Sequence, residues 1–167
     1  CANNASQTIV INALPATPVL AVTQPTCSIA TGILNITSTI IDLTFSLDKA
    51  PFISYPLTGF TGVGGGNHVV VAKNLQGCQS ATANAFVNAA PNPPTAFATI
   101  VTNAACGSKN GTIKLGLVTG GTPPFAYAFD GGQFSSAVDY LNLAAGAYTL
   151  AVKDANACTF SQSVIVD

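Results

Sequence analysis

Hydrophobic and polar residues alternate with a period of two along most of this chain. In the run from Ile41 to Asp48, Ile41, Leu43, Phe45 and Leu47 share one face, and Asp42, Thr44, Ser46 and Asp48 share the other. A helix would repeat every 3.6 residues, so the pattern predicts a half-buried antiparallel strand. Ile113, Leu115 and Leu117 alternate in the same way with Thr112, Lys114 and Gly116. So do Phe125, Tyr127 and Phe129 with Ala126, Ala128 and Asp130, and Tyr148, Leu150 and Val152 with Thr149, Ala151 and Lys153. Turn signals separate these runs. Phe129-Asp-Gly-Gly132 reads as a tight hairpin, because glycine supplies positive φ without steric cost. Gly120-Gly-Thr-Pro-Pro124 reads as a stiff corner feeding the next strand, and Asp154-Ala-Asn156 as the turn before Cys158. Short alternating strands separated by turns predict an all-β chain of antiparallel β-sandwich type with an immunoglobulin-like layout. Tryptophan is absent, so the expectation covers architecture alone.

The pattern also repeats. Gly146-Ala-Tyr-Thr-Leu-Ala-Val-Lys153-Asp-Ala-Asn-Ala-Cys158 echoes Gly66-Asn-His-Val-Val-Val-Ala-Lys73-Asn-Leu-Gln-Gly-Cys78, 80 positions earlier. Val101-Thr-Asn-Ala-Ala-Cys106 echoes Val22-Thr-Gln-Pro-Thr-Cys27 at an offset of 79. A period this long gives each copy room for its own core. Proline-bearing segments, Asn12-Ala-Leu-Pro15-Ala-Thr-Pro18 and Asn88-Ala-Ala-Pro91-Asn-Pro93-Pro94, mark the boundaries and favour extended, semi-rigid linkers. The expected organisation is therefore tandem: a last strand of a preceding repeat plus linker over 1–16, repeat A over 17–94 and repeat B over 95–167. The strand-like Thr8–Asn12 and Cys1 match the end of a repeat, which suggests a piece of a longer protein. Repeat A leaves one register open. Alignment with repeat B puts His68, Val70 and Ala72 on the core face, whereas hydrophobicity prefers Val69 and Val71.

Composition agrees with strands. Charged residues make up 7% of the chain, against roughly 25% in an ordinary globular protein. All acids are Asp and all bases are Lys, and the strong helix formers Glu, Arg and Met are missing. A formal net charge of −1 offers no basic field for a phosphate backbone, so no nucleic-acid partner is expected. Hydropathy is high, but no apolar run nears the ~20 residues needed to cross a bilayer, so no membrane insertion is expected. So few charges should leave surfaces that associate laterally or end to end with other subunits.

The cysteines occupy repeat-equivalent positions. Cys27 and Cys78 are 51 residues apart, and Cys106 and Cys158 are 52 apart. Equal spacing predicts one disulfide per repeat, Cys27–Cys78 and Cys106–Cys158, with Cys1 unpaired. Each would stabilise its domain by roughly 4 kcal/mol in the chain-entropy model. Metal ligation and free buried thiols stand as the alternatives. One histidine and no Cys-x-x-Cys make a zinc site a poor fit.

Three strings in repeat B, Gly120-Gly-Thr-Pro-Pro-Phe-Ala-Tyr-Ala-Phe-Asp-Gly131, Leu141-Asn-Leu-Ala-Ala-Gly-Ala-Tyr148 and Val152-Lys-Asp-Ala-Asn-Ala-Cys158, occur in order. Together they resemble the repeat of SprB-type gliding adhesins, very large surface proteins of Bacteroidetes exported by the type IX secretion system. The resemblance covers nearly all of repeat B but only the opening and closing segments of repeat A. It implies surface adhesion and gliding motility, an extracellular location on the bacterial surface, neighbouring repeats and other surface or filament subunits as partners, and no catalytic residues. Relatives of such repeats also occur in secreted enzymes.

A search for chemistry finds little else. A catalytic triad would need His68, whose counterpart is the core-type Tyr148. Gly62-Val-Gly-Gly-Gly66 lacks the Lys-Ser/Thr and helix of a phosphate loop. Asp154 and Asn156 offer calcium-type oxygens, but two ligands do not make a site. Phe52, Tyr55 and Phe60 cluster in the irregular middle of repeat A, where exposed rings could stack on a polysaccharide. A core role is the competing reading. No cofactor is expected. The function expected is a structural adhesin or filament segment; the alternative is a glycan-binding or accessory module of a secreted enzyme.

Overall fold

The computed structural model describes residues 12–167. Cys1 and most of the expected Thr8–Asn12 strand lie outside the described residues. All regular structure among the described residues is β, and every strand pairing is antiparallel. No helix among them is long and apolar enough to cross a membrane. The chain divides into two compact units: residues 12–25 with 29–89, and residues 26–28 with 90–167.

The first unit holds seven strands: β1 (Leu20–Thr23), β2 (Gly32–Ile36), β3 (Leu43–Leu47), β4 (Ile53–Ser54), β5 (Phe60–Val63), β6 (Gly66–Asn74) and β7 (Ala83–Val87). They form two sheets, ordered β1-β2-β5 and β4-β3-β6-β7. Leu34, Ile36, Phe60 and Val63 from one sheet and Phe45, Val70, Ala72 and Val87 from the other build a single core. The second unit holds β8 (Pro94–Thr102), β9 (Gly111–Gly120), β10 (Ala126–Phe129), β11 (Asp139–Leu143), β12 (Gly146–Lys153) and β13 (Thr159–Val166). Its sheets are ordered β11-β9-β8 and β10-β12-β13, and Phe97, Ile113, Leu115 and Leu143 meet Leu150, Val152, Val164 and Val166 between them.

The two units use the same registers. Gly32↔Val63 and Leu34↔Phe60 in the first correspond to Gly111↔Leu143 and Ile113↔Tyr140 in the second. Gly66↔Val87 corresponds to Gly146↔Val166. Two glycines show how closely the packing agrees. A methyl added to Gly32 would stand 2.7 Å from Val87 Cγ1, and one added to Gly111 would stand 2.6 Å from Val166 Cγ1. Each glycine opens the second strand of its unit and admits the last strand's valine against bare backbone.

Binary patterning mispredicts two positions. Ile41 is 74% exposed rather than inward, because Asp42 takes positive φ and β3 starts only at Leu43. Leu117 is 88% exposed. The cause is a bulge: Thr99 pairs Leu115 and Phe97 pairs Val118, so β9 carries one extra residue that throws Leu117 outward and turns Val118 to the core. In β6, Val70 and Ala72 are the fully buried residues, while Val69 and Val71 line a groove on the other face. Pro94 does not belong to a linker. It is buried and opens β8. The Asp130-Gly131 hairpin forms as expected, with positive φ at both residues and the Gly132 N–H donating to the Phe129 carbonyl at 2.8 Å.

Candidate functional site

The cysteines pair differently from the expectation. Cys27 is bonded to Cys158, with Cα atoms 5.4 Å apart, and Cys78 and Cys106 are free thiols. The expected Cys27–Cys78 and Cys106–Cys158 bonds are excluded by strand geometry. Cys27 follows β1, at the end of the first unit where Gly32 packs on Val87 and Val87 pairs Gly66. Cys78 lies beyond Asn74, at the other end of the nine-residue β6. Nine residues of strand separate the two by roughly 27 Å, far beyond the ~7 Å that a disulfide spans. The eight-residue β12 separates Cys106 from Cys158 in the same way. Cys27 instead leaves its own unit: Thr26–Ser28 groups with the second. A disulfide persists in an oxidising rather than a reducing compartment.

The turn that presents Cys158 is held by one carboxylate. Asp154 is buried, and its Oδ1 accepts from the Asn156 N–H at 2.9 Å and the Cys158 N–H at 2.8 Å. Its Oδ2 accepts from the Thr122 N–H at 3.0 Å. The Asn156 side chain donates to Thr122 Oγ1. Both oxygens of Asp154 thus face N–H donors, and Asn156 presents its amide N–H₂, so the calcium candidates serve as turn caps. Among the described residues no cluster of three or more acidic, His or Cys side chains could hold a metal ion. The first unit builds the same turn with an amide: Asn74 Oδ1 accepts from the Cys78 N–H at 2.8 Å. Backbone bonds agree as well, Asn74 N–H to the Cys78 carbonyl at 3.0 Å and Asp154 N–H to the Cys158 carbonyl at 2.9 Å.

The aromatic trio of the first unit is not a unit. Phe60 is buried, and Tyr55 meets Phe45 and Phe60 edge to face at 5.9 and 5.8 Å. The Tyr55 hydroxyl accepts the Ile36 N–H at 2.8 Å. Two of the three rings are therefore core and bracing. Phe52 alone faces a groove of about 870 Å³ on the outer side of the β3–β6 pair, with Ser46, Lys49, Val69, Val71 and Gln79 among its walls. Lys73 Nζ stands 4.2 Å over the Phe52 ring.

Sequence reasoning gave His68 a packed or strand-surface place on β6, and the structure adds a charged clamp. Its Nδ1 donates to Asp48 Oδ2 at 2.7 Å and its Nε2 donates to the Gly64 carbonyl at 2.9 Å. Both ring nitrogens face acceptors, which requires the imidazolium. The hydrogen bond to Asp48, and then that to Gly64, raise the His68 pKa above its ordinary 6.5. Burial pulls the Asp48 carboxyl up, but the bonds from His68 and from the Val69 N–H outweigh it and leave it below 3.8. The clamp ties the β3 exit to the Gly-rich β5–β6 turn. No nucleophile is paired with this histidine.

No protein-family model matches the chain, and no curated protein sequence matches it.

Proposed function

We propose that this chain is a load-bearing repeat segment of a large secreted bacterial surface adhesin or filament, with no enzymatic activity. The observation that carries the reading is the bond from the opening cysteine of one repeat to the closing cysteine of the next. Tension applied at the two ends of the chain runs into Cys27, across the sulfurs and out from Cys158. Everything between, including nearly all of both cores, is removed from the path of force. In this reading each unit is an immunoglobulin-like sandwich, the segments near Pro15–Pro18 and Pro91–Pro93 stiffen the joints, and repetition gives reach from the cell surface. Export out of a reducing interior, followed by oxidation outside, would set the bond. Antibodies raised against the chain, applied to intact cells that produce it, test the reading. Labelling without permeabilisation is the expected result; labelling only after permeabilisation would overturn it.

A second reading has one observation of its own, the groove beside Phe52, whose ring and polar rim suit a polysaccharide or an accessory role in a secreted enzyme. A glycan array separates the two. Binding that Phe52→Ala abolishes would install the module reading, and absence of binding supports the spacer.

A further inference from the structure

We propose that Cys106 is a cross-linking site for Cys78 of a second copy of this chain, so that oxidised copies join head to tail. This pairing depends on the two units being repeats of one module and not on the adhesive role.

The chain itself displays the rule. Each sequence repeat carries one opening cysteine, Cys27 or Cys106, and one closing cysteine, Cys78 or Cys158. The observed bond joins the opening cysteine of the earlier repeat to the closing cysteine of the later one. It leaves one thiol of each type free, Cys106 and Cys78. A bond between these two within one molecule would run in the reverse order, opening cysteine of the later repeat to closing cysteine of the earlier.

The types are equivalent in structure as well as in spacing. Cys78 and Cys158 leave the same capped turn, each with its N–H on the side chain of the residue four positions before, at 2.8 Å. The two opening segments are anchored alike. Gln24 Oε1 accepts the Asn88 N–H at 2.7 Å, and Asn103 Oδ1 accepts the Asp167 N–H at 3.2 Å, each tying the approach to the opening cysteine onto the end of its unit's last strand. Cys106 is exposed and Cys78 half-buried. Cys106 also lies in the wall of an open groove of about 410 Å³, where four alanines, at 104, 105, 144 and 145, stand beside the polar Ser108, Lys109 and Asp167. Four methyl-bearing residues leave room for an incoming turn of the Asn74–Cys78 kind.

The chemistry is thiol–disulfide exchange with a small disulfide such as oxidised glutathione as oxidant. The Cys106 thiolate attacks it, forming a mixed disulfide and releasing one glutathione. The Cys78 thiolate of the second copy then attacks the Cys106 sulfur and expels the other glutathione. Two protein thiols are oxidised, one small disulfide is reduced, and the two protons leave with the two glutathiones. Because the two surfaces differ, the contact is heterologous, and each added copy still presents one unused thiol, so growth continues past the dimer.

The test uses the full chain with Cys1→Ser, which starts with two free thiols; it is incubated in a glutathione redox buffer, and every outcome, remaining thiols included, is read after that incubation. Products are separated by non-reducing electrophoresis and their disulfides mapped by mass spectrometry. A ladder of dimers, trimers and higher species, cross-linked at Cys106–Cys78 and collapsed by dithiothreitol, is expected. An equimolar mixture of the Cys78→Ser and Cys106→Ser variants, each checked for folding by circular dichroism, should stop at the dimer. Monomers carrying an internal Cys78–Cys106 bond, like-with-like pairs as abundant as mixed ones, or two thiols that still titrate in the native Cys1→Ser chain would each overturn the proposal. Antibody labelling of cells reads the adhesive role separately, so failure of either is recognisable on its own.

Discussion

Reduction of a single bond should change how far this chain can be stretched. Cys27 and Cys158 are 131 positions apart. Fully extended backbone spans at most ~3.6 Å per residue, so the bond conceals roughly 470 Å of contour length. With the bond intact, a molecule held at its ends can release only the 27 residues up to Cys27 and the 10 from Cys158 onward, about 130 Å. Reduced chain, or a Cys27→Ser variant, should release about 600 Å from its 167 residues. Single-molecule stretching between terminal tethers, with and without dithiothreitol, reads the difference directly. Pairing within each repeat makes a different prediction, two hidden segments of roughly 185 Å each from spacings of 51 and 52. Oxidised molecules that release the full length, or reduction that adds steps of the shorter size, would refute the connectivity and the load-bearing reading with it. The same bond should raise stability by roughly 5 kcal/mol through the entropy of the unfolded chain, a loss that denaturant melts of the reduced protein would show.

Three further outcomes follow from the packing. Gly111→Ala places a methyl 2.6 Å from Val166 Cγ1 and 3.0 Å from the Leu143 carbonyl, so it should lower stability by about 1–3 kcal/mol in thermal or denaturant melts despite the entropy a glycine loses on folding; unchanged stability would mean the last strand can withdraw. Tyr55→Phe keeps the ring but strips the Ile36 N–H of its acceptor, a loss of about 1–3 kcal/mol, whereas Phe52→Ala at the groove should cost much less. The His68 clamp should be pH-dependent. His68 has its pKa raised above 6.5 by folding, so its contribution is complete below that value and is lost as pH rises through the raised pKa. Asp48 has its pKa lowered, so its contribution is complete above 3.8 and is lost as pH falls through the lower value. Asp48 is 46% exposed, so the pair is worth no more than about 1 kcal/mol; denaturation midpoints that fall from pH 6 to pH 9 in the wild type but not in His68→Gln would confirm the sign.

The all-β class and the tight turn at Asp130-Gly131 were written in alternation and turn residues. The partner of Cys27 was not. In a tandem array, equal spacing of like cysteines follows whether each bond stays inside a repeat or reaches the next, so the 51- and 52-residue intervals carried no information on the choice. Strand length did: nine residues of β6 hold the two cysteines of the first unit at opposite ends. Leu117 was misread because a bulge adds a residue that the binary pattern cannot announce. Tyr55 and Phe60 lie in a stretch without periodicity, so the sequence left them between a core role and an exposed one; the space between two sheets must be filled, and both rings pack in or against the first unit's core. Gly32 and Gly111 were missed, yet their offset of 79 from one another marked them as paired positions opening an apolar strand.

The extra residue in β9 has a bearing on biogenesis. Neighbouring modules of one design can exchange segments while both are unfinished, and such misassembly is a hazard of tandem chains. The first unit pairs β1 with β2 without interruption, whereas β8 and β9 pair across two irregularities. A β2 segment inserted in place of β9 would end at Ile36, the counterpart of Leu115, and so could not supply the bulge that brings Val118 inward. Such departures from sameness would mark the strands of each module as its own while the two halves of one chain fold side by side.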